Sequence, residues 1–413
     1  MNKLFIGLCI CFSSIICACS SGGDGEGDSG SLQISADKST IVADGEEVVT
    51  FTVKDKDGRN VTSECIILKG TVELTSNTFS TTVAGEYEFS AKKVTGEISD
   101  KIKVVAIENN AQLTIKADKT NLVADGGDIV ALRLVDANDV DLTSEAEFYL
   151  DGVSLRRGAA RTKTIGSHKV TAKWKGKACE GTLTLTGVSA PNDFTGRLLV
   201  EYSTSTSCMY CPTYIQAFKQ CLSNSRFALV SVHREPSSIY SEYYEQSTKN
   251  RVQEFVDYYG GYVPYPGALF NRGTNPISVS DKSKVLESIP AKSDVGIAVD
   301  AYFDGLKFRA SVAVHSKTNF TGKIGAILVE DGIRAYQTQL GEVEMEKILR
   351  DYQPSVAGEN ITLTNGTPAS KEFSFEKSGV KNTNKCEIIV FVLGEDQLLK
   401  NVQRVAVGKV IGY

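Results

Sequence analysis

The segment from Leu198 to Leu222 organises our interpretation of the chain, and it reads LLVEYSTSTSCMYCPTYIQAFKQCL. Its apolar start, Leu198 to Val200, is typical of a buried strand, and a run of serines and threonines ends that strand before Cys208. Pro212 suits the first turn of a helix, where backbone N–H groups have no partner within the helix. The segment therefore predicts a strand, a turn and a helix that begins at a pair of cysteines.

Cys208 and Cys211 are predicted to lie one turn apart at this helix start. The free N–H groups and the helix dipole favour a thiolate there, and they lower the cysteine pKa from about 8.5 toward neutrality. A zinc site is the alternative, but structural zinc sites usually need a second pair, and no other His or Cys lies at ligand spacing. We therefore expect a redox pair, with no metal and no cofactor.

A second motif lies downstream, where Gly260 to Gly273 read GGYVPYPGALFNRG and Pro266 precedes an apolar strand. With the cysteine pair, this motif resembles the thioredoxin fold, in which a cis-proline before a strand faces the CxxC. The resemblance implies a cis bond between Tyr265 and Pro266. It also implies that Tyr265 and Pro266 bind substrate, because the residue before the proline offers backbone hydrogen bonds to a bound peptide in that family.

The same resemblance makes Glu201 the candidate proton acceptor for the thiols. Glu201 lies one position further from Cys208 than the acidic residue of thioredoxins, and serines and threonines replace the tryptophan-bearing segment before the first cysteine. The alternative for Glu201 is a solvated strand residue.

Length, composition and charge limit the number of domains and the classes of partner. A chain of 413 residues is too long for one domain, and 41% hydrophobic and 23% charged residues are ordinary for globular domains. The net charge of −5 is spread along the chain and leaves no basic patch. We therefore expect no nucleic-acid partner.

The N-terminus predicts export and anchoring. Residues 1–18 combine Lys3 with an apolar stretch too short to span a bilayer, as in a signal peptide. The sequence ICAC ending at Cys19 resembles a bacterial lipobox, which implies that Cys19 carries the lipid; a conventional cleavage site with a free Cys19 is the alternative. Lipid chains would hold the protein to a membrane. Residues 19–30 form a tether with almost no apolar residue.

The tether also bears on localisation. Its acidic residues after Cys19 resemble the export signal of Bacteroidetes surface lipoproteins, which implies an outer-membrane protein exposed at the cell surface. A periplasm-facing protein, which would need a similar tether, is the alternative.

An internal repeat follows the tether, since Leu32 to Glu64 align without gaps with Leu113 to Glu145. Both copies alternate apolar and polar residues between Asp- and Gly-containing turns, a pattern typical of β-sandwiches. They resemble bacterial immunoglobulin-like modules of the invasin type, over residues 31–108 and 111–188. We expect these modules to act as spacers. Their turn aspartates either form ordinary turns or, as the alternative, bind calcium. These aspartates include Asp55, Asp57, Asp136 and Asp139.

Residues 196–291 and 293–413 are predicted to be a thioredoxin-like α/β domain and a C-terminal all-β sandwich or jelly roll. The first should continue with a strand, an amphipathic helix over Tyr240 to Tyr259 and a short helix near Lys282 to Ile289. In the second domain, apolar and polar residues alternate as in a series of strands. The strand candidates are Val295–Phe303, Phe308–Val314, Ile324–Val329, Ile361–Thr364, Glu372–Phe375, Glu387–Leu393 and Val402–Val407. Between them, Tyr336 to Tyr352 reads as a polar helix or loop.

We expect no chemical role for the other cysteines or for two of the histidines. We expect His233 to be a surface histidine rather than an acid or base, and His315 to be structural. Cys221 lies on the inner helix face and is interpreted as core rather than as a resolving cysteine. Cys65, Cys179 and Cys386 are expected to be buried free thiols.

Taken together, the lipobox, EYSTSTSCMYCP, YPGALFNR, GAILVEDGIRAYQTQ and EKILRDY resemble one family over Arg197 to Tyr413. This is the Omp-twenty-eight-like outer-membrane lipoprotein family of Bacteroidetes, which has a thioredoxin-like domain followed by a β-sandwich. The chain departs from the family at Glu346 and Lys347, where members usually have a histidine and an asparagine.

Two functional hypotheses follow. In the first, Cys208 attacks a disulfide of a protein or peptide partner and Cys211 resolves the mixed disulfide. In the second, the protein is a non-enzymatic surface adhesion or binding lipoprotein, and the two cysteines form a structural disulfide. The sequence leaves open whether the protein is an enzyme; an enzyme would be a thiol-disulfide oxidoreductase.

Overall fold

The structure is a computed structural model that describes residues 32–108 and 113–413. The described chain is mostly β, and it divides into two compact units, whose described parts are residues 32–108 and 113–413. The predicted signal peptide, Cys19 and the tether lie outside the described residues. None of the helices in the described ranges is both long enough and apolar enough to cross a membrane.

The described part of the first unit folds as two packed sheets. Its strands are β1 (Leu32–Ala36), β2 (Thr40–Ala43), β3 (Val49–Asp55), β4 (Cys65–Lys69), β5 (Val72–Glu73), β6 (Thr78–Phe79), β7 (Gly85–Lys93) and β8 (Ile102–Glu108). One sheet has the order β1-β3-β6 and the other β2-β8-β7-β4-β5. Alternate residues of β3 point inward, and the Phe51 ring packs 4.6 Å from Phe89 between the sheets.

The second sequence repeat forms the same pair of sheets at the start of the second unit. Its strands are β9 (Thr114–Ala117), β10 (Asn121–Val123), β11 (Val130–Val135), β12 (Ala146–Leu150), β13 (Val153–Leu155), β14 (Ala159–Ala160), β15 (Gly166–Trp174), β16 (Lys177–Ala178) and β17 (Leu183–Val188). The orders are β14-β11-β9 and β10-β17-β15-β12-β13, with β16 beside β15. In both repeats the second strand pairs in parallel with the last.

The cysteine-containing segment alternates strands and helices. Its elements are β18 (Phe194–Thr195), β19 (Leu198–Thr204), α1 (Cys211–Lys219), β20 (Phe227–His233), α2 (Gln246–Tyr258), β21 (Gly267–Phe270) and α3 (Lys282–Glu287). β19 and β20 are parallel and joined through α1, and β21 pairs antiparallel with β19. The predicted strand–turn–helix is confirmed, and α1 begins at Cys211.

The rest of the second unit is made of strands. They are β22 (Lys292–Ser293), β23 (Val295–Phe303), β24 (Lys307–Ser316), β25 (Phe320–Glu330), β26 (Ile333–Gln337), β27 (Gly341–Met345), β28 (Ile348–Gln353), β29 (Glu359–Leu363), β30 (Ala369–Glu376), β31 (Cys386–Leu393), β32 (Leu399–Ala406) and β33 (Val410–Ile411). Each strand candidate of this region is confirmed, although Thr364 and Val407 lie one residue beyond the ends of β29 and β32. Short turns of 3₁₀ helix lie at Thr62–Glu64, Thr143–Glu145, Arg156–Gly158 and Thr383–Lys385.

One sheet runs through the predicted boundary between residues 291 and 293. Its order is β21-β19-β20-β28-β25-β31-β32, with β29 beside β25. The join is parallel, where Ser231 of β20 meets Ile348 of β28. The cysteine-containing strands and the C-terminal strands therefore share one hydrogen-bonded framework.

Both faces of this sheet are buried. In β25, Ile327 and Val329 pack into a core that includes Phe255 of α2, whereas Ala326 and Leu328 face a second core. That second core lies against a four-stranded sheet of order β30-β24-β23-β33. Alternation along one strand thus supplies two cores, which is why its sequence is almost continuously apolar.

Two predictions of helix were inaccurate. The segment Tyr240 to Tyr259 forms a π-helical turn, Ile239–Tyr243, followed by α2. The segment Tyr336 to Tyr352 contains β27 and most of β28. Its charged residues alternate with apolar ones in β27, so a strand-like period was present in a segment whose polarity we interpreted as helix or loop.

Candidate functional site

The centre of the candidate site is a disulfide between Cys208 and Cys211. Cys208 lies in the loop that follows β19, and Cys211 is the first residue of α1. The side chain of Cys211 is fully buried, whereas 7% of Cys208 is exposed. Cys208 is therefore the sulfur nearer to solvent.

The helix start acts on Cys208. The backbone N–H of Cys211 donates a hydrogen bond to Cys208 Sγ at 3.1 Å. The first turn of α1 contains no acidic residue, and Tyr210 provides no side-chain cap. No side chain of the helix start therefore neutralises the positive end of the helix dipole near Cys208 Sγ. This arrangement stabilises negative charge on Cys208 when the disulfide is reduced.

The loop before Cys208 is held by hydroxyl groups. The Oγ atoms of Ser205 and Ser207 each donate to the carbonyl oxygen of Pro236 at 2.6 Å. Thr206 Oγ1 accepts the backbone N–H of Ser238 at 2.8 Å. The serines and threonines, predicted only to end the strand, therefore fasten the disulfide loop to the loop after β20.

The hairpin of β26 and β27 reaches the disulfide from the C-terminal part of the chain. Gln337 Nε2 donates to the carbonyl oxygen of Cys208 at 3.0 Å, and the N–H of Thr338 donates to Thr206 O at 2.9 Å. Gln337 is completely buried. These residues were not predicted from the sequence, since nothing local connects a glutamine at the end of a strand with a cysteine so far away along the chain.

Tyr202 contacts the first turn of α1. Its hydroxyl donates to the carbonyl oxygen of Cys211 at 3.1 Å, and its ring stacks on Tyr214. Burial raises the pKa of Tyr202, so the phenol stays protonated and remains a donor.

Glu201 lies inside the structure, and its role as a proton acceptor stays a prediction. It is completely buried, so it is not a solvated strand residue. It lies on the face of β19 opposite Tyr202, because neighbouring strand residues point to opposite faces. Glu201 Oε2 lies 2.9 Å from Arg272 Nε, out of line for a hydrogen bond, and accepts the hydroxyl of Tyr259 at 2.7 Å. The geometry therefore places Glu201 in a buried ion pair with Arg272.

Tyr265 and Pro266 precede β21 and are joined by a cis peptide bond, as the thioredoxin resemblance implied. Gly267, the next residue, pairs with Ser203 near the end of β19. Tyr265 is exposed, and Arg234 lies 5.9 Å from its ring. The structure thus brings Tyr265 and Pro266 to the end of the sheet from which the disulfide loop emerges.

His233 was predicted at the surface, and this was wrong. It is the last residue of β20 and is buried, and its Nδ1 lies 3.1 Å from Ser237 Oγ. Burial, with a smaller effect of Arg350, lowers the pKa of His233 to about 3, so the ring is neutral. A strand end is usually exposed, but this one is covered by the loop that fastens the disulfide.

A small cavity of about 20 Å³, enough for one water molecule, lies between α1 and the sheet. It is lined in part by Thr204, His233 and Glu346. Burial, followed by the nearby Asp331 carboxylate, raises the pKa of Glu346 to about 7. The next residue, Lys347, is buried and pairs with Asp331 at 2.5 Å.

The remaining cysteines are free thiols in the described structure. Cys221 belongs to the core beneath α1, which confirms its interpretation as a core residue, and burial raises its pKa. Cys386 is also buried, whereas Cys65 and Cys179 are only partly buried.

Turn chemistry explains the aspartates considered for calcium. Asp55 Oδ1 accepts the N–H groups of Asp57 and Arg59, and Asp136 Oδ1 accepts those of Asn138 and Val140. Within the described ranges, no three His, Cys, Asp or Glu side chains are grouped as metal ligands would be.

Comparison with known proteins gives a family match for part of the chain. The family described as "Outer membrane protein Omp28" matches residues 253–410. This range includes Tyr265, Pro266 and Gln337 but begins after the two cysteines. No curated protein matches the chain.

Among solved structures, HBP35 of Porphyromonas gingivalis is 14% identical, covers 53% of this chain and 77% of its own, and has a TM-score of 0.45. InvD of Yersinia pseudotuberculosis is 11% identical, covers 92% of this chain and 97% of its own, and has a TM-score of 0.21. Likenesses with TM-scores below 0.5 are too remote to assign a fold.

Proposed function

We propose that this protein is an outer-membrane lipoprotein whose thioredoxin-like centre, Cys208 and Cys211, exchanges thiols and disulfides with a protein or peptide partner. The observation that carries the proposal is the hydrogen bond from the Cys211 N–H to Cys208 Sγ at the start of α1. A sulfur held in this way is a better thiolate and a better leaving group than an ordinary cysteine.

The topology around the pair supports a thioredoxin-like centre. Parallel β19 and β20 are connected through α1, and antiparallel β21 lies on the other side of β19. Pro266 directly precedes β21, at the end of the sheet where α1 begins. In this proposal Tyr265 and Pro266 bind the partner's chain beside the disulfide.

The exchange conserves electrons between the two pairs. A thiolate of a dithiol partner attacks Cys208 Sγ, and Cys211 leaves as a thiolate. The partner's second thiolate attacks its own sulfur in the mixed disulfide and releases Cys208, so two electrons have passed to the protein. In the reverse direction, the Cys208 thiolate attacks a partner disulfide and releases one thiolate. Cys211 then attacks Cys208 Sγ and releases the other.

The proposed location is the outer membrane, with a lipid on Cys19 as the anchor and cell-surface exposure as the orientation. The lipobox resemblance and the description of the matching family support it. In this proposal the two immunoglobulin-like domains, 31–108 and 111–188, lie along the chain between the lipid anchor and the redox and C-terminal domains, 196–291 and 293–413. Protease treatment of intact cells tests the orientation, since cleavage is expected only on a surface-exposed chain.

The second candidate is a non-enzymatic surface lipoprotein with a structural disulfide. The hydrogen bonds that hold the loop favour it, because Gln337, Ser205 and Ser207 all restrain the segment around Cys208. A restrained loop disfavours the movement that a mixed disulfide requires.

Insulin reduction separates the two candidates. The mature chain with dithiothreitol is expected to reduce insulin faster than dithiothreitol alone, and Cys208→Ser should return the rate to that background. Cys211→Ser should accumulate a mixed disulfide, because the resolving thiolate is missing. Cys221→Ala, which removes a free thiol from the same core, is the matched control and should retain the rate. A wild-type rate equal to that of Cys208→Ser would leave the structural disulfide as the function of the pair.

A further inference from the structure

The exposed aromatic side chains of the described ranges are four tyrosines of the second unit. Tyr210, Tyr262, Tyr265 and Tyr336 are the exposed aromatic residues of the described ranges, with 77%, 77%, 38% and 63% of their surfaces exposed. We call them the tyrosine rim. Met209, 58% exposed, lies between the two cysteines beside Tyr210. Grouped exposed apolar surface of this kind commonly marks an interaction site.

Contacts tie each part of the rim to the disulfide loop. Tyr210 lies between the cysteines, and Tyr336 precedes Gln337, whose side chain binds Cys208 O at 3.0 Å. β26 alternates buried and exposed residues, so Tyr336 points outward where Gln337 points inward.

The segment with Tyr262 and Tyr265 is linked to the same end of the sheet through Arg234. The Arg234 guanidinium donates to the carbonyl oxygen of Val263, and its backbone N–H donates to Thr204 O at 2.9 Å. Thr204 is the last residue of β19. Hydrogen bonds therefore connect the segments that carry Tyr262, Tyr265 and Tyr336 to the strand end and loop before the disulfide.

The chemistry of the rim fits an extended polypeptide. Side chains this exposed cannot enclose a small ligand, and they offer an open surface instead. Tyrosine contributes apolar area and a hydrogen-bonding hydroxyl with few rotatable bonds, which suits contacts to main chain and mixed side chains. The disulfide on the loop that these segments contact favours a chain that carries cysteine.

We propose that the β26–β27 hairpin, through Tyr336, acts with Tyr262 as the specificity surface that docks an extended polypeptide with apolar side chains next to a cysteine of a disulfide. This inference rests on the proposed exchange function and names its substrate class. The C-terminal part of the chain thereby supplies a substrate-binding element to the cysteine pair.

The test compares two disulfides in single turnover. The mature chain is reduced and freed of reductant, then mixed with insulin or with cystine. Tyr336→Ala and Tyr262→Ala are each expected to slow the insulin reaction about five-fold or more relative to the cystine reaction. Leu306→Ala removes a similarly exposed apolar side chain from the turn between β23 and β24, and it should change neither rate. Equal effects of the tyrosine variants on both substrates would overturn the inference.

Binding without chemistry keeps the inference separate from the exchange function. Reduced and carboxymethylated α-lactalbumin is unfolded and has no reactive sulfur, and calorimetric titration measures its binding to the oxidised chain. Weaker binding to Tyr336→Ala than to wild type and Leu306→Ala supports the docking surface, even when no exchange occurs. Equal binding by all three proteins would refute it, whatever the insulin result.

Discussion

The two sequence repeats contain the same loop in two different settings. Asp44 Oδ1 in the first accepts the N–H groups of Glu46 and Glu47, both at 2.9 Å. Asp125 Oδ1 in the second accepts those of Gly127 and Asp128, at 2.7 and 3.0 Å. The local turn is therefore the same in both repeats, because an Asp carboxylate satisfies the same two donors.

The surroundings of the two loops differ. In the second unit, Asp125 Oδ2 also accepts from His315 Nδ1 at 2.7 Å and from the Tyr413 hydroxyl at 3.1 Å. Asp128 accepts the backbone N–H of Tyr413 at 2.9 Å. In the first unit, Glu46 is exposed. A turn motif that lies at the surface of one unit is thus part of a buried contact with the C-terminal strands in the other.

One position separates the two settings. A Cβ atom at Gly127 would lie 2.2 Å from the Tyr413 hydroxyl and 2.9 Å from Pro368. Glu46 occupies the corresponding place in the first repeat. The aspartate of the turn therefore determines its shape, whereas the side chain two positions later, absent at Gly127 and large at Glu46, determines whether another element can cover the turn.

The most disruptive test places the residue of the first repeat into the second. Gly127→Glu should destabilise the second unit by about 3 kcal/mol, because it combines overpacking with a charge beside Asp125 and Asp128. Urea unfolding followed by the fluorescence of Trp174, the one tryptophan in the chain, measures the loss within this repeat. The reciprocal Glu46→Gly should change stability by about 1 kcal/mol or less. Unfolding of Gly127→Glu at the wild-type midpoint would mean that the buried contact does not form.

Removing the shared aspartate should have unequal effects. Asp125→Ala leaves the donors of His315 and Tyr413 buried without their acceptor, and we expect a loss of about 2–3 kcal/mol. Asp44→Ala loses the bonds of the turn and should cost about 1 kcal/mol. Hydrogen exchange measured on peptides from each loop reads the two losses in the same full-length chain. Equal losses would show that the contact with His315 and Tyr413 adds no stability.

The same contact predicts a difference in acid. Burial raises the pKa of Asp125, but hydrogen bonds from His315, the loop N–H groups and Tyr413 outweigh it and hold the pKa below 3.8. The ionised carboxylate therefore stabilises the fold above pH 3.8, and this contribution is lost as the pH falls through the lower folded-state value. Wild type should approach the stability of Asp125→Asn below pH 3.8 in urea titrations. A constant difference down to the lowest pH would contradict the lowered pKa.

The smallest expected effects concern the lysines that flank the two loops. Lys38 lies 3.2 Å from Glu47 and 43% of its side chain is exposed, so Lys38→Met should change stability by about 0.5 kcal/mol or less. Lys119 contacts both carboxylate oxygens of the buried Asp128, and Lys119→Met should cost about 1–2 kcal/mol. Hydrogen exchange on the same loop peptides compares the two losses of stability. A larger loss for Lys38→Met than for Lys119→Met would contradict the stronger contribution expected from the lysine of the second repeat.

The candidate site shows a similar division between what sequence predicted and what it missed. The position of Cys208 and Cys211 at a helix start followed from Pro212 and the apolar period of the helix, which are local signals. The burial of His233 was missed because it depends on the loop that folds back over it. The pairing of Glu201 with Arg272 was not predicted, because the face of a side chain depends on strand parity, and a displacement of one residue moves it to the other side of a sheet.

Local chemistry written in the sequence determined the repeated two-sheet modules, most strands of the C-terminal region and the helix start that carries the cysteines. It could do so because turns, strand periodicity and helix starts depend on neighbouring residues. Tertiary structure alone decided that Gln337 binds Cys208, that Glu201 pairs with Arg272, that one sheet joins the cysteine-containing and C-terminal strands, and that the loop of the second repeat is covered. These contacts join residues far apart along the chain, and their partners become definite only when the sheets pack.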